Sequence, residues 1–438
     1  MVSYLSIPLY EKPHPTTSPS RPELSQAGRT VLVLGGSKGI GHAIARNFCA
    51  AGAAKVIIAA RRPGVLEDAA VKLAEAFPKT EVVPRVCDML NEQATDAFWD
   101  KISAGGPDAA VDVVVFSGCA MPAREPILKQ GIARAWGDFE GNVHAPLRHL
   151  EKLYNQPHHE KKKFFLYVST QDIHNWDSAP ELPVYQLSKH AGTCAMQQVA
   201  REIPATDMQI ISFHPGVVYT EAVEKTGYTR DSFPFTDENI PGQFAVWAAS
   251  EEAAFLQGRF AWSNWDIDQV ISGDIRKQID ADPYLLKTGV RGLIPVLLFG
   301  QTAQVGAMVA KQLQPEFEVI HFIYGSGWEA ATAAELEPVL QGKEPKVSKP
   351  NDIGTHNYAR PPRAIVFGRG YTPEQAQEVH DRYGHIAREA VAWVVGDPSK
   401  RPTLPLPDDY AERRAQEVKD VINGWLQEGA TASKVLLY

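Results

Sequence analysis

The segment that decides the fold is Thr30-Val-Leu-Val-Leu-Gly-Gly-Ser-Lys-Gly-Ile-Gly41. Its first five residues, Thr30–Leu34, form a short apolar run typical of a buried parallel strand. Gly35 would permit a tight turn, Gly39 would let a diphosphate approach the backbone, and Gly41 would let the next helix pack closely. An ordinary strand–helix turn is the alternative, but the flanking strand and helix patterns favour a dinucleotide-binding turn.

The helix that follows this turn is predicted to begin at Ile40 and end at Ala51. A helix start offers unpaired N–H groups and the positive end of the helix dipole, and both attract phosphate. Ser37 and Lys38 lie inside the turn and add a hydroxyl and an ammonium. The candidate cofactor-binding residues of this segment are Gly35, Ser37, Lys38, Gly39, Ile40 and Gly41.

Strand and helix patterns alternate over the first two thirds of the chain. The predicted strands are Thr30–Leu34, Lys55–Ala60, Glu81–Cys87, Val111–Ser117, Phe164–Ser169 and Met208–Phe213, with a last one inside Gly258–Asp266. Helical patterns cover Asn91–Ser103, Ala133–Tyr154 and Tyr185–Glu202. Strands that alternate with helices pair in parallel, so the fold class is α/β with a Rossmann-type, doubly wound parallel sheet.

Composition narrows the class of protein. The chain has 438 residues and a net charge of −8, so it lacks the basic surface of a nucleic-acid-binding protein. No stretch approaches the roughly 20 apolar residues that cross a bilayer, and no signal-peptide pattern opens the chain. The four cysteines form no C-x-x-C pair, which favours reduced thiols and a cytoplasmic protein.

A faint internal repeat indicates a second α/β domain. Val296-Leu-Leu-Phe-Gly-Gln-Thr-Ala-Gln-Val-Gly306 aligns with Val31–Gly41. We therefore divide the chain into a flexible, proline-rich lead-in (1–28), a dinucleotide-binding domain (29–290) and a smaller Rossmann-like domain (291–438). Gln304 stands where the middle glycine belongs and obstructs a diphosphate, so this domain is expected to bind no dinucleotide or something smaller. Packing is its simplest role, and a second active site using His321, His356, His380 or His385 is the alternative.

The most specific chemical pattern is Tyr185-Gln-Leu-Ser-Lys189. A tyrosine and a lysine four residues apart share one helix face. An ammonium near a phenol favours the phenolate and lowers the pKa of the tyrosine, which is ordinarily about 10. Such a tyrosine can exchange a proton with a substrate oxygen near neutral pH.

Two arginines indicate which nicotinamide cofactor the first domain binds. An NAD site usually has an acidic residue about 20 residues after the glycine turn, against the ribose hydroxyls. The second strand instead ends in Arg61-Arg62, and Lys38 adds a third cation. Cations suit a 2′-phosphate, so NADP(H) is favoured over NAD(H). Solvated surface charge is the alternative interpretation of both arginines.

Over about residues 29–275 the chain resembles the short-chain dehydrogenase/reductase family. The residues that carry the resemblance are the glycine turn, Asp88, Asn142 in Asn142-Val-His-Ala-Pro146, Val168-Ser169-Thr170, Tyr185 with Lys189, and His214-Pro215-Gly216 followed by Thr220. The Gly258–Asp266 segment is similar to one in fungal members, which are often reductases of specialised metabolism.

The resemblance implies a role for each matching residue. Tyr185 would pass the proton, and Lys189 would lower its pKa and hold the nicotinamide ribose. Asn142 would support a water chain to Lys189, Asp88 would contact the adenine, and Thr220 the nicotinamide amide or a phosphate. Gly216 belongs to the same cofactor site. Family members also commonly form homodimers or homotetramers, here through the helical stretches Ala133–Tyr154 and Tyr185–Glu202.

The sequence departs from the family pattern at two places. Alignment puts Thr170 in the position of the catalytic serine, with Ser169 as the alternative donor. Phe116-Ser-Gly-Cys119 replaces an Asn-Asn-Ala-Gly segment and removes an amide that usually ties the sheet together. Asp172, His174 and Asp177 precede Tyr185 in a loop that should border the pocket, where they could bind a polar substrate or remain solvated.

The predicted function is therefore NADP(H)-dependent hydride transfer between nicotinamide and a small-molecule carbonyl or alcohol. No nucleic acid, membrane or metal is expected to take part. Two alternatives stay open at this point: a redox-neutral isomerase, cyclase or dehydratase that uses the same tyrosine, and a non-catalytic NADP(H)-binding regulator.

Overall fold

The structure is a computed structural model of the whole chain. It describes residues 7–119, 123–157, 161–174, 179–225, 227–232, 234–281, 285–288, 294–314, 316–324, 332–346, 351–387, 389–400, 409–428, 430 and 432–438. The chain forms two compact units, Met1–Gly289 and Val290–Tyr438.

Within its described residues, the first unit contains a seven-stranded parallel sheet with the order β3-β2-β1-β4-β5-β6-β7. The strands are β1 (Thr30–Leu34), β2 (Lys55–Ala60), β3 (Glu81–Val86), β4 (Val113–Phe116), β5 (Lys163–Val168), β6 (Met208–His214) and β7 (Phe260–Trp262). The order of the strands reverses between β1 and β4. In such sheets the ligand crevice lies at this reversal, beyond the carboxyl ends of the strands.

Helices flank both faces of this sheet. They are α1 (Gly39–Ala50), α2 (Pro63–Ala76), α3 (Glu92–Ser103), α4 (Ile127–Gln130), α5 (Ile132–Phe139), α6 (Ala145–Tyr154), α7 (Pro183–Glu202), α8 (Glu221–Glu224), α9 (Asn239–Ala248), α10 (Ile267–Ser272) and α11 (Asp274–Ala281). Helix α3 begins where predicted, because the Asn91 side chain accepts a hydrogen bond from the Ala94 N–H. A π-helical turn, Glu140–His144, joins α5 to α6.

Two apolar clusters form the core of the first unit, one on each face of the sheet. Phe48, Phe244 and Trp265 lie in one cluster, and Trp99 and Tyr167 lie in the other. The inner strands β1, β4 and β5 are nearly continuous apolar runs because both of their faces are buried. This architecture confirms the predicted doubly wound parallel sheet.

The lead-in differs from its prediction, because its described part packs against the first unit. Leu24 is buried in the core, and Leu9 forms an antiparallel bridge with Trp265. Arg21 adds a two-pronged ion pair with Glu252 at 2.8 and 3.1 Å. The prolines and polar residues of this segment predicted flexibility. The few apolar side chains between them nevertheless pack well enough to hold residues 7–28 in place.

The second unit contains, in its described residues, a five-stranded parallel sheet with the order β12-β11-β10-β8-β9. Its strands are β8 (Ile294–Gly300), β9 (Phe317–Tyr324), β10 (Ala364–Phe367), β11 (Ala392–Val395) and β12 (Lys434–Leu437). Its helices are α12 (Ala303–Leu313), α13 (Glu337–Leu340), α14 (Pro373–Tyr383) and α15 (Tyr410–Gln427). This sheet confirms a second α/β fold.

Local sequence explains where helix α14 begins. The Thr372 side chain accepts a hydrogen bond from the Gln375 N–H, and the Gln375 side chain accepts one from the Thr372 N–H. This reciprocal cap, with Pro373 in the first turn, is a sequence pattern typical of a helix start. None of the described helices of either unit is both long and apolar enough to cross a membrane.

Candidate active site

The glycine turn lies at the reversal of the strand order. Gly35 has a φ of +83°, and a Cβ at this position would lie only 3.0 Å from the Gly118 backbone nitrogen after β4. A Cβ on Gly41 would lie 2.3 Å from the Gly35 carbonyl oxygen, which is closer than any side chain allows. The turn and the end of β4 therefore touch, and both positions require glycine.

The start of helix α1 can accept an anion. Lys38 occupies the cap position, and its side chain makes no capping hydrogen bond to the helix. Gly39 is approached only by the Thr220 side chain, 3.1 Å from a Cβ built at that glycine. Ser37 and Ile40 lie in the same turn and are half-buried. Uncapped N–H groups and open backbone are what a diphosphate requires, so the turn fits the cofactor that the motif implies.

The cations around the turn differ in their pairing. Lys38 forms a close ion pair with Glu221, which also binds Lys225 at 2.6 Å. The hydrogen bond from Lys225, and that from Lys38, lower the pKa of Glu221 to about 2, so this carboxylate offsets part of the Lys38 charge. Arg61 and Arg62 follow β2 and are exposed. The two arginines thus remain the stronger candidates for binding a 2′-phosphate.

The other predicted cofactor residues lie at the same edge of the sheet. Asp88 follows β3, is half-buried, and accepts a hydrogen bond from the Leu90 N–H at 3.2 Å. Gly216 follows β6 with a φ of +81°, and a Cβ there would collide with Thr236 at 2.6 Å. Thr220 caps α8 by accepting a hydrogen bond from the Val223 N–H. All three belong to loops after the carboxyl ends of strands.

Tyr185 and Lys189 lie on the first turns of α7, beside β5. The Lys189 ammonium donates to the Val168 carbonyl at 2.9 Å and lies 4.9 Å from the centre of the Tyr167 ring. Lys189 is only 2 % exposed, and Tyr185 is half-buried. Cys119, after β4, interacts electrostatically with both side chains. Cys119 directly follows Gly118, which contacts Gly35 of the glycine turn. Tyr185 and Lys189 therefore lie beside the crevice at that turn.

The pKa of Tyr185 differs from the expectation. Burial raises it well above its ordinary value, and neighbouring Cys119 and Asp172 act in the same direction. A hydrogen bond with Thr170 acts the opposite way and is outweighed. Burial also lowers the pKa of Lys189, whose ammonium is directed at Val168. In this geometry the tyrosine is therefore a neutral phenol, and the expected lowering of its pKa by Lys189 is not seen.

Asn142 lies in the π-helical turn between α5 and α6. Its side-chain amide donates to Ser188 Oγ at 3.0 Å, next to Lys189 in sequence. Its backbone carbonyl accepts a hydrogen bond from the Tyr167 hydroxyl at 2.7 Å. A π-turn often marks a functional site because it aims a backbone group out of the helix. Asn142 Oδ1 is buried and has no hydrogen-bond partner among the described residues, so it can still accept a hydrogen bond.

Tyr167 is a site residue that sequence reasoning missed. It lies under the Lys189 ammonium and fixes the Asn142 carbonyl. Gly192 allows this contact, because a Cβ there would lie 2.5 Å from the Tyr167 hydroxyl. In sequence Tyr167 is one aromatic residue within the apolar strand Lys163–Val168. A phenol in an otherwise hydrocarbon strand, two residues before Ser169, is the only signal that could have identified it.

The two hydroxyls after β5 point to different partners. Thr170 Oγ1 donates to Asp172 Oδ2 at 2.8 Å and also contacts Tyr185. Ser169 Oγ lies 2.7 Å from Thr193 Oγ1, whose own hydrogen goes to the Lys189 carbonyl. Ser169 is therefore the donor to Thr193 and has no hydrogen left for a substrate. Of the two candidates, the geometry brings only Thr170 to Tyr185.

The loop after Thr170 is held by a histidine. Gln171 donates its N–H to His214 Nδ1 at 3.2 Å, and burial lowers the pKa of His214 to about 3, so this ring is neutral. His174 stacks on Trp262. Asp172 reaches the site through Thr170, whereas Asp177 lies outside the described residues.

The Phe116–Cys119 segment has a packing role that explains part of its departure from the family. Phe116 is fully buried and packs near Tyr167 and His149. Gly118 contacts Gly35, and a Cβ on Gly118 would also lie 2.3 Å from Met89 Sδ. In this chain Phe116 fills the core and Gly118 allows close backbone contact with Gly35. Family members have amide side chains in this segment.

The second glycine turn is built differently from the first. A Cβ on Gly300 or on Gly306 would collide with the Phe322 ring, at 2.7 and 2.5 Å. The Gln301 side chain donates to the Gly370 carbonyl at 3.4 Å, so it bridges the ends of β8 and β10. The order of this sheet reverses between those two strands. The crevice where a ligand would bind is therefore spanned by Gln301.

The four histidines named in the second unit do not converge. His321 is buried between Glu335, at 2.9 Å, and the Tyr358 hydroxyl, at 3.0 Å. His356 lies near it, with ring centres 6.3 Å apart. His380 belongs to α14, where it contacts Gln377 and Asp381, and His385 follows that helix.

Comparisons with known proteins agree with the fold of the first unit. The family model described as short chain dehydrogenase matches residues 29–231. The short chain dehydrogenase/reductase AacuD of Aspergillus aculeatus is 32 % identical over 263 residues, which cover 60 % of this chain and 88 % of the relative. A short chain dehydrogenase/reductase of Claviceps purpurea is 32 % identical over 266 residues, covering 60 % of this chain and 86 % of that protein.

A solved structure shares the fold of the first unit. L-sorbose reductase from Gluconobacter frateurii, complexed with NADPH and L-sorbose, is 20 % identical and superposes with a TM-score of 0.50, covering 55 % of this chain and 96 % of the reductase. The glycine turn at the strand reversal, the Tyr185–Lys189 pair and the fungal relatives lead to one conclusion. The chain belongs to the short-chain dehydrogenase/reductase family, whose members are oxidoreductases that use a nicotinamide cofactor.

Proposed function

We propose that the protein is an NADP(H)-dependent oxidoreductase that reduces a small-molecule carbonyl, or oxidises the corresponding alcohol. The observation that carries the proposal is the meeting of Tyr185, Thr170 and Lys189 at the crevice bordered by the glycine turn. Hydride transfer leaves negative charge on an oxygen, which requires a proton and a hydrogen-bond donor within reach. These side chains can supply both.

The cofactor would be held by residues from several loops. The turn Gly35–Gly41 and the start of α1 would bind the diphosphate, Arg61 and Arg62 the 2′-phosphate, and Asp88 the adenine. Lys189, Gly216 and Thr220 would surround the nicotinamide end. When bound, the nicotinamide supplies the hydride, and the remaining chemistry belongs to the protein.

Tyr185 would donate the proton to the carbonyl oxygen. Its raised pKa keeps the phenol protonated at neutral pH, which suits proton donation. The same shift disfavours the phenolate that alcohol oxidation needs at the start. The protonated phenol is thus the form that would serve carbonyl reduction at neutral pH.

Two side chains would assist that step. The Thr170 hydroxyl would donate to the substrate oxygen once its hydrogen turns away from Asp172, 2.8 Å distant. Lys189 would bind the nicotinamide ribose and pass protons toward Tyr185, and Asn142 would support a water chain that leads to Lys189. The buried Asn142 amide oxygen accepts no hydrogen bond from any described residue, which favours that role.

The surface supports an assembly into homodimers or homotetramers. Leu128, Ile132 and Trp136 project from α4 and α5 and are 89 %, 63 % and 60 % exposed. Exposed large apolar side chains in one patch are typical of a protein interface.

The four cysteines, all in the described residues, form no disulfide, which supports a cytoplasmic location. A substrate from specialised metabolism, which the resemblance to fungal members implies, is part of the proposal.

A substrate panel with NADPH tests the proposal. We expect NADPH oxidation with at least one ketone or aldehyde, and a loss of kcat of about 10²- to 10⁴-fold in Tyr185→Phe with NADPH binding retained. Tyr154→Phe, at the exposed end of α6, is the matched control and should keep full activity. Because the acting form is the protonated phenol, the rate should stay level through neutral pH and fall only above about pH 10.

The same assay separates the alternatives. Product formation without net NADPH oxidation would indicate a redox-neutral isomerase or dehydratase. NADPH binding that is unaffected by Tyr185→Phe, with no turnover of any substrate by the wild-type protein, would indicate a non-catalytic regulator and would overturn the proposal.

A further inference from the structure

Helix α7 (Pro183–Glu202) carries a second pair of reactive side chains beside Tyr185 and Lys189. His190 and Cys194 are four residues apart and therefore share a helix face. Both side chains are half-buried, and neither belongs to the Tyr185–Lys189 motif. A thiol next to an imidazole is the combination from which activated cysteines are built.

The tautomer of His190 is fixed by the backbone. Its Nδ1 lies 2.9 Å from the Ile173 carbonyl oxygen, which can only accept, so Nδ1 carries a hydrogen. In the neutral ring Nε2 is then the base. Cys194 lies one helix turn further along the same face, where this nitrogen can take its thiol proton. A base held in one orientation by a third group is the arrangement that activates a nucleophile.

The resulting thiolate has a second hydrogen-bond donor. Cys194 Sγ lies 2.7 Å from Thr288 Oγ1. The Thr288 hydroxyl also reaches Gln197 Oε1 at 2.8 Å, but Gln197 keeps a hydrogen bond from the Thr288 N–H at 2.8 Å if the hydroxyl turns to sulfur. The site can therefore stabilise a negative sulfur without leaving another group unpaired.

The four cysteines, all in the described part of the chain, differ in ionisation. The hydrogen bond with His190 lowers the pKa of Cys194 despite its partial burial. Burial raises the pKa of Cys49 to about 12 and also raises the pKa of Cys87 and Cys119. Cys119 is nevertheless exposed. Comparing its reactivity with that of Cys194 therefore separates the effect of exposure from the effect of a lowered pKa.

Cys194 is also connected to the candidate active site. Ile173, which accepts the His190 hydrogen bond, ends the turn Gln171–Ile173. Thr170 caps that turn by accepting a hydrogen bond from the Asp172 N–H. A substituent on Cys194 would occupy the space next to the imidazole and displace it from Ile173. The turn that orients Thr170 would then lose one of its anchors.

We propose that Cys194 is a modification site for soft electrophiles, activated by His190 and Thr288, and that its modification loosens the turn Gln171–Ile173. In the step itself, the sulfur forms a bond to an electrophilic carbon and the leaving group departs with the bonding electrons. The thiol proton remains on His190 until solvent removes it. The effect on catalysis rests on the proposed function, whereas the reactivity of the thiol does not.

Iodoacetamide labelling of the full chain at pH 7, followed by peptide mass spectrometry, tests the thiol. We expect Cys194 to be alkylated about tenfold faster than the more exposed Cys119, and its rate to reach a plateau at lower pH. His190→Gln should slow the labelling of Cys194 about tenfold and leave Cys119 unchanged. Should that variant be unstable, the pH profiles of the two wild-type cysteines decide the question. Equal or slower labelling of Cys194 overturns the proposal.

Hydrogen exchange tests the connection to the site. After alkylation, the amides of residues 171–174 should exchange at least about tenfold faster, and Cys194→Ser should exchange normally with or without reagent. Unchanged exchange in the alkylated protein overturns the coupling. Both measurements are made without substrate or cofactor, so they give the same answer whether or not the protein proves to be an NADPH-dependent enzyme.

Discussion

The two glycine turns of this chain have similar sequences and different surroundings. In the first unit, a Cβ on Gly41 would collide with the Gly35 carbonyl, so the glycines let the backbone fold closely upon itself at the strand reversal. In the second unit, Gly300 and Gly306 face the Phe322 ring, and Gln301 spans the corresponding crevice. The same strand–turn–helix pattern can therefore serve ligand binding in one place and packing in another.

The largest effect is expected for Gly41→Ala in the first turn. The new Cβ would lie 2.3 Å from the backbone of Gly35, so the turn must change shape and misalign the N–H groups offered to the diphosphate. Losing charge-assisted hydrogen bonds worth about 1.5–3 kcal/mol each predicts NADPH binding weakened about 100-fold or more. Titration calorimetry measures it. Retained affinity would refute the assignment of this turn to the cofactor.

A smaller effect is expected for the cations that separate the first turn from the second. Arg61→Ala should weaken NADPH binding about tenfold by removing one charge-assisted hydrogen bond, and should leave NADH binding unchanged. Arg201→Ala, at the exposed end of α7, is the control. Equal losses for both cofactors would place Arg61 away from the 2′-phosphate.

A substitution in the second turn should change the free energy of unfolding rather than the affinity for NADPH. Gly306→Ala places a Cβ 2.5 Å from the Phe322 ring, and overpacking of this kind costs about 1–3 kcal/mol. Gly424→Ala is a matched control in helix α15, where nothing lies within 4 Å of the added Cβ, and it should stabilise slightly. Chemical denaturation measures the stability of both variants from the unfolding transition of the second unit. A loss of NADPH affinity in Gly306→Ala would contradict the comparison.

The smallest effect is expected when the second turn is made to resemble the first. Gln304→Gly restores the missing glycine near the start of α12 and should cost about 0.5–1 kcal/mol through helix propensity. It should create no dinucleotide site, because Phe322 and Gln301 still fill the space. New NADPH binding in this variant would show that the middle position alone distinguishes the turns.

Strand positions were the most predictable feature of the sequence. The strand Thr30–Leu34 matches its prediction because a buried parallel strand is a short apolar run. The strand Lys434–Leu437 was not predicted, since it is half-exposed and begins with lysine. Helix α2, Pro63–Ala76, was also missed, although proline in its first turn was a signal for it.

The candidate site was predictable residue by residue, but its pairings were not. Tyr185, Lys189 and Thr170 are found by spacing and by position after a strand. The pairing of Lys38 with Glu221 joins residues 183 positions apart, and no local pattern reveals it. The raised pKa of Tyr185 likewise depends on burial, which arises only when β5, α7 and the loops pack together. The roles of all these residues remain predictions.

Hydrogen exchange with and without NADPH tests the central claim most directly. The account predicts that NADPH slows exchange at the amides of residues 35–41 and leaves residues 300–306 unchanged in the same sample. Protection of the second turn, or no protection of the first, would contradict it.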